Sequence, residues 1–310
     1  MENQTVITEF ILLGLSRDPH LQVFFFLLFL MIFLVTLLGN SAIMLVTRTD
    51  SCLQNPMFFF LSHLAFVDIC YSAVTVPKML ENIIGKQKTI SLEGCIAQIV
   101  FFFQVACAEV FILAIMAYDR YIAICDPLHY TTIMTKIICR HLVSGAWATS
   151  FLVSLVNALP LLSLHFCKNN IIYNFICELP SVLALSCTQT LTNYIVLLIT
   201  ALVFGFSAFL LTLISYIHII STILKIHSAE GRRKAFSTCS SHLIVVGLYY
   251  IAAFFRYVKP NSESLIYLDK VVSIQYSIIT PLLNPIIYSL KNKDIQNALA
   301  KKFGKYMFLK

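Results

Sequence analysis

The sequence predicts an all-α integral membrane protein: a seven-transmembrane-helix bundle followed by a short amphipathic surface helix. Composition is the first observation. Of the 310 residues 59% are hydrophobic and 12% charged, and mean hydropathy is +0.84, whereas soluble domains carry about 25% charged residues. The second is block structure. Seven apolar blocks reach the roughly 20 residues that a spanning helix needs, without the alternation over about ten residues that marks barrel strands. The third is the placement of lysine and arginine. With the C-terminus inside, 14 of the 22 cations fall on the cytoplasmic side, the bias that orients membrane proteins.

In chain order, residues 1–22 form an extracellular N-terminus, and the membrane domain 23–290 holds the helices, at about 23–47, 57–80, 96–125, 140–162, 192–224, 237–258 and 270–290. Residues 291–310 are a cytoplasmic tail. Glu2, Glu9, Arg17 and Asp18 make the first twenty residues too polar for a cleavable signal peptide, so the first helix is expected to direct insertion. Asn3-Gln4-Thr5 is a glycosylation acceptor if that end lies outside. The third block covers about 45 Å at 1.5 Å per residue and must tilt or protrude. In the tail, Ile295, Leu299, Phe303 and Met307 recur at near-helical spacing below a basic face, as in a helix lying on membrane lipid.

Ten cysteines are present. Cys95, Cys167, Cys177 and Cys187 fall outside, where disulfides persist. Four cysteines allow three pairings, and their spacing selects none. Any pairing that includes Cys95 ties the 163–191 loop to the outer end of the third helix.

Polar residues inside apolar helices are costly and mark candidate functional sites. Asn40, Asp68, Glu109 and Asn284 lie in the first, second, third and seventh blocks. They either share a cation, a proton or waters, or form a hydrogen-bonded packing network; the oxygen donors suit Na⁺ and exclude zinc. Asp119-Arg120-Tyr121 ends the third helix, either as an interfacial pair with the arginine snorkelling or as a switch that frees Arg120 towards a partner. Pro285, within Asn284-Pro285-Ile286-Ile287-Tyr288, removes a backbone donor and kinks the seventh helix, leaving carbonyls for Asn284 or water. Tyr216 and Tyr288, both near inner helix ends, form a candidate hydroxyl relay to Arg120. GRRKAFSTCSSH (231–242) is a basic segment suited to anionic lipid or a docking partner. No HExxH, phosphate-binding glycine loop or GxSxG occurs, so no catalytic residues, no enzyme activity and no nucleic-acid partner are expected.

The strings LLGN (37–40), PMFFFLSHLAFVD (56–68), MAYDRYIAICDPLHY (116–130), Ser215-Tyr216, KAFSTCSSHL (234–243) and PLLNPIIYSLKNK (281–293) together resemble the rhodopsin-like G protein-coupled receptors, and within them the odorant (olfactory) receptors of tetrapod type. The resemblance runs from the first helix to the tail. It implies a receptor in the ciliary plasma membrane of olfactory neurons. Such a receptor binds a small volatile odorant and engages a heterotrimeric stimulatory G protein of the olfactory type, raising cyclic AMP. It also implies disulfides Cys95–Cys177 and Cys167–Cys187, a sodium-site region at Asp68, Glu109 and Asn284, and activation switches at Arg120, Tyr216 and Tyr288.

By the same resemblance the ligand pocket is lined by Phe102, Phe103, Ala106, Cys107, Thr200, Phe204, Tyr250, Ala253, Tyr257 and Ser277. Phe102 stands where amine receptors place an aspartate, so a charged amine lacks a counter-ion on that helix and small, neutral, mostly apolar ligands fit better. The chain departs from the family pattern at Asn174, at Ile251 in place of glycine, which would narrow the pocket or alter the sixth helix, and at Asp126 in place of lysine in the second inner loop. Two other readings stand beside this one. A receptor for a non-odorant small molecule is the nearer; a transporter or channel is more distant, since the helix count is odd and no internal repeat is visible.

Overall fold

The computed structural model describes residues 7–16, 18–85, 87–167, 169–257 and 266–307. Strand β1 (Glu9–Leu12) precedes helix α1 (Pro19–Thr49). Asp18 caps α1 by accepting from the His20 amide, and Asn55 caps α2 (Pro56–Ile84) by accepting from Phe58. Both helices begin with proline, whose missing amide costs nothing in a first turn. After β2 (Thr89–Ser91), Ser91 caps α3 (Leu92–Cys125), and Thr135 caps α4 (Lys136–Ala158).

The long connection to α5 contains β3 (Ile171–Ile172) and a short helix, Leu179–Leu183. Helix α5 spans Leu191–Leu224 and is interrupted by a π turn at Ala201–Phe206. Helix α6 is Ala229–Tyr257. Helix α7 runs through Ile266–Ile274, a π turn at Gln275–Ile279 and Thr280–Lys291, and α8 is Lys293–Met307.

Six of these helices are long and apolar enough to cross a membrane, and the seventh, α6, carries a shorter apolar stretch at Cys239–Phe255. Helix α6 starts ahead of its apolar block because helix formation depends on backbone propensity, to which Arg, Lys and Ala contribute whatever their hydropathy. The protein is an all-α seven-helix membrane bundle.

One face carries the N-terminal segment, the other carries α8. On the N-terminal face β1 is the centre of a three-stranded sheet, antiparallel to β2 with Phe10 opposite Ile90, and parallel to β3 with Leu12 opposite Ile172. Phe10 and Leu12 are fully buried, and Phe10 meets Phe166 edge-on at 5.3 Å between ring centroids. A disulfide joins Cys95 at the start of α3 to Cys177 in the long connection, and a second joins Cys167 to Cys187. On the C-terminal face Ile295 and Ala298 bury one side of α8, and its lysines reach back to the α1–α2 turn. Lys302 Nζ donates to Thr49 Oγ1 at 2.6 Å, and Lys301 lies 3.5 Å from Asp50. The Asp50 carboxyl is held below its ordinary range, chiefly by the Cys52 amide it accepts from and then by Lys301.

Helices α1 and α7 approach closely at Gly39. A Cβ there would come within 3.3 Å of the Pro285 ring, so the absence of a side chain sets the spacing.

Candidate functional site

A cavity of about 420 Å³ lies in the half of the bundle nearer the N-terminal face, between α3, α5, α6 and α7. Its roof is Cys177, Glu178, Leu179 and Pro180 of the long connection. The Cys95–Cys177 bond fixes the roof to α3, and Gln98 Oε1 accepts from the Cys177 amide at 2.8 Å. Of the residues expected to meet a ligand, Phe102, Phe103, Ala106, Cys107, Thr200, Phe204, Tyr250 and Ala253 line the cavity. The side chain of Tyr257 lies outside the described residues, as does Asn3.

Ser277 does not line it. It is buried, and its hydroxyl donates to the Ser273 carbonyl. Carried outward from Asn284 as a regular α-helix, α7 turns Ser277 inward, two turns away. The π turn Gln275–Ile279 inserts an extra residue into that register, and Tyr276 lines the cavity instead. Tyr276 closes an edge-to-face cluster with Phe102 at 5.6 Å and Tyr71 at 6.5 Å.

Glu178 was not anticipated from sequence, although its place directly after the bonded Cys177 was a signal. It is buried, and its Oε1 accepts from Ser273 Oγ at 2.8 Å and from the Tyr276 hydroxyl. Asn174 Nδ2 donates to Ser273 Oγ at 2.9 Å, so this departure from the family pattern stitches the roof to α7. An acid therefore lines the cavity after all, from the loop rather than from α3. Ile251 is 58% exposed and turned away from the cavity, and it does not narrow it.

Below the cavity the four buried polar residues divide. Asn284 Nδ2 donates to both oxygens of Asp68, at 2.9 and 3.1 Å. Asn40 Nδ2 donates to the carbonyls of Thr36 and Pro281, at 3.0 and 3.1 Å. Pro285 cannot donate to residue 281, four positions before it, so Asn40 fills the acceptor that the sequence reading left to Asn284 or water. Glu109 is buried beside Asp68, and its Oε1 receives no hydrogen bond among the described residues; nor do Asn284 Oδ1 and Asn40 Oδ1. Unsatisfied buried acceptors of this kind suit a hard cation or water. Among the described residues no group of three or more His, Cys, Asp or Glu gathers as metal ligands.

At the end of α3 away from the cavity, Arg120 is held by its neighbour. Its Nη2 and Nε lie 2.7 and 3.1 Å from Asp119 Oδ2, and Asp119 Oδ1 accepts from Tyr130 Oη at 2.8 Å. Burial, and then the Asp119 charge, pushes the Tyr130 phenol up, so it keeps the proton it donates. The relay of Tyr216 and Tyr288 to Arg120 is not assembled. Tyr216 is engaged by α6, its hydroxyl 2.6 Å from His242 Nδ1, and Tyr288 Oη makes no hydrogen bond among the described residues. Tyr121 packs its ring against His218 at 5.7 Å. In the following turn Asp126 pairs with His129 Nδ1 at 2.8 Å, and Leu128 between them is 87% exposed.

Seven membrane helices thus surround a roofed cavity, with buried carboxyl groups and a paired arginine beneath it. A family model described as olfactory receptor matches residues 29–305. The chain is 51% identical over 294 residues to human olfactory receptor 8S1 (Homo sapiens), covering 95% of this chain and 81% of that one. It is 50% identical over 299 residues to human olfactory receptor 5A1, covering 96% and 95%. With mouse olfactory receptor 5G9 (Mus musculus) it shares 46% identity over 310 residues, 100% and 99% of the two chains. The chain belongs to the olfactory receptor family. It is a multi-pass plasma-membrane receptor for odorants, coupled to a G protein, and not an enzyme.

Proposed function

We propose that the 420 Å³ cavity takes small, mostly apolar volatile molecules bearing one hydrogen-bonding group. The observation that carries this is its lining: aromatic and aliphatic walls with, among the described residues, a single carboxylate, Glu178, in the roof. A ten-carbon ligand that buries on the order of 250 Å² gains about 6 kcal/mol by area, against an association cost of at least ~4 kcal/mol. Apolar contact alone therefore binds weakly, and one hydrogen bond, worth about 0.5–1.5 kcal/mol, decides between ligands of equal size.

In this reading the N-terminus is extracellular and the C-terminus cytoplasmic, as the lysine and arginine bias favours, with Asn3 open to glycosylation. Ligand binding displaces the inner end of α6, loosening Tyr216 from His242. Arg120 leaves Asp119 and meets a heterotrimeric stimulatory G protein of the olfactory type, and cyclic AMP rises in the cilia of olfactory neurons. Asp68, Glu109 and Asn284 would hold a sodium ion, whose charge favours the resting arrangement. The test is a cyclic AMP panel of volatile compounds on cells expressing the full chain with the olfactory stimulatory G protein. Dose-dependent responses that disappear without that G protein support the proposal; surface-expressed receptor silent to the panel, or signalling by another route, counts against it.

A further inference from the structure

The cavity has a second boundary besides its roof. Phe206 on α5 and Phe254 on α6 both line it, yet they are 52% and 59% exposed on the outside of the bundle. Each ring thus has one side towards the cavity and another towards the membrane. Between them Gly205 also lines the cavity, and a Cβ built on it meets nothing within 4 Å. Deeper in, α5 and α6 are joined by the Phe209 and Tyr250 rings, 5.0 Å apart, and then by Tyr216 and His242. The helices are thus clasped below Gly205 and parted beside it.

The roof differs in kind. Cys177, Leu179, Val182 and Leu183 are fully buried, and the disulfide and Gln98 bind the roof to α3.

We infer that the gap between α5 and α6 at Gly205 is a lateral portal, through which ligands dissolved in the bilayer enter the cavity. The chemistry fits the ligand class. Each methylene raises the preference of a molecule for an apolar phase roughly fourfold, so an apolar volatile is concentrated in the membrane before it meets the receptor. Such a molecule passes Phe206 and Phe254 without returning to water. Potency then follows membrane partitioning as well as fit. The inference rests on the cavity being the ligand site proposed above.

Stopped-flow fluorescence of aminoanthracene, a small neutral dye that brightens in apolar surroundings, tests it on the purified full chain in lipid nanodiscs, with receptor-free nanodiscs subtracted. Gly205→Phe places a ring in the portal, and Gly205→Leu places a smaller side chain there should the first variant fold poorly. A blocked portal slows association and dissociation together by about tenfold and leaves Kd within twofold. A Kd weakened with an unchanged dissociation rate means that the ring has filled the cavity, and that outcome overturns the portal, as do unchanged rates. So does faster entry after reduction of Cys95–Cys177, which would place the route through the roof. Absence of dye binding to the wild type removes the ligand site itself, and the portal with it.

Discussion

Asn40 on α1 donates to the carbonyl of Pro281 on α7 at 3.1 Å, the acceptor that Pro285 leaves without its helical partner. The bond crosses the place where Gly39 lets the Pro285 ring approach within 3.3 Å of a would-be Cβ. Two adjacent residues thus do separate jobs: Gly39 sets the helix spacing, and Asn40 satisfies the break.

Removing that donor leaves a buried carbonyl unpaired. Asn40→Leu is expected to destabilise the receptor by about 1–3 kcal/mol, read as a lower melting temperature of the detergent-purified protein. A melting temperature equal to wild type would mean that the Pro281 carbonyl finds another donor.

The break at Pro285 was legible in the sequence, but its donor was not, because helical periodicity says nothing about which neighbouring helix lies alongside. The seven blocks were legible because a spanning helix must be apolar along most of its length. Strand β1 was missed: four residues with two inward side chains, Phe10 and Leu12, carry too short a pattern to stand out. Tyr276 was missed in favour of Ser277 because a π turn leaves no mark in composition. Glu178 is not legible as a wall residue because the path of a loop over the bundle leaves no periodicity in the sequence. The four cysteines were placed on one face by topology, whereas their pairing came only from family resemblance.

Glu109 presents a buried oxygen with no donor among the described residues, beside the Asp68–Asn284 pair. If sodium occupies that position, replacing choline with sodium raises the melting temperature of the wild type by a few degrees and leaves Glu109→Leu unmoved. Equal shifts in both proteins would show that the ion acts elsewhere.

Ser273 and Tyr276 hold the Glu178 carboxylate in the roof. For an agonist that carries a hydroxyl, Glu178→Gln is expected to raise the half-maximal concentration about tenfold, while an apolar agonist of the same size moves less than threefold. Equal losses for the two would make Glu178 a brace of the roof without a part in recognition.

Leu128 is an exposed leucine on the face assigned to the cytoplasm, fixed in a turn by the Asp126–His129 pair. A lone exposed leucine is ordinary on a protein surface, so the case for Leu128 rests on its place in the turn that follows Arg120 on α3. Leu128→Asp is expected to cut the maximal cyclic AMP response by at least about fivefold, with dye binding to the cavity unchanged. A full response in that variant would remove Leu128 from the partner surface.

Arg120, held by Asp119 at 2.7 Å in this structure, is the group that the proposed mechanism releases to the G protein. The most direct test of that release is the cyclic AMP response of Arg120→Ala to an agonist of the wild type, with surface receptor counted on the same cells. Wild-type-like surface expression within about twofold and no agonist-dependent cyclic AMP are expected. Undiminished signalling from Arg120→Ala at the cell surface would contradict it.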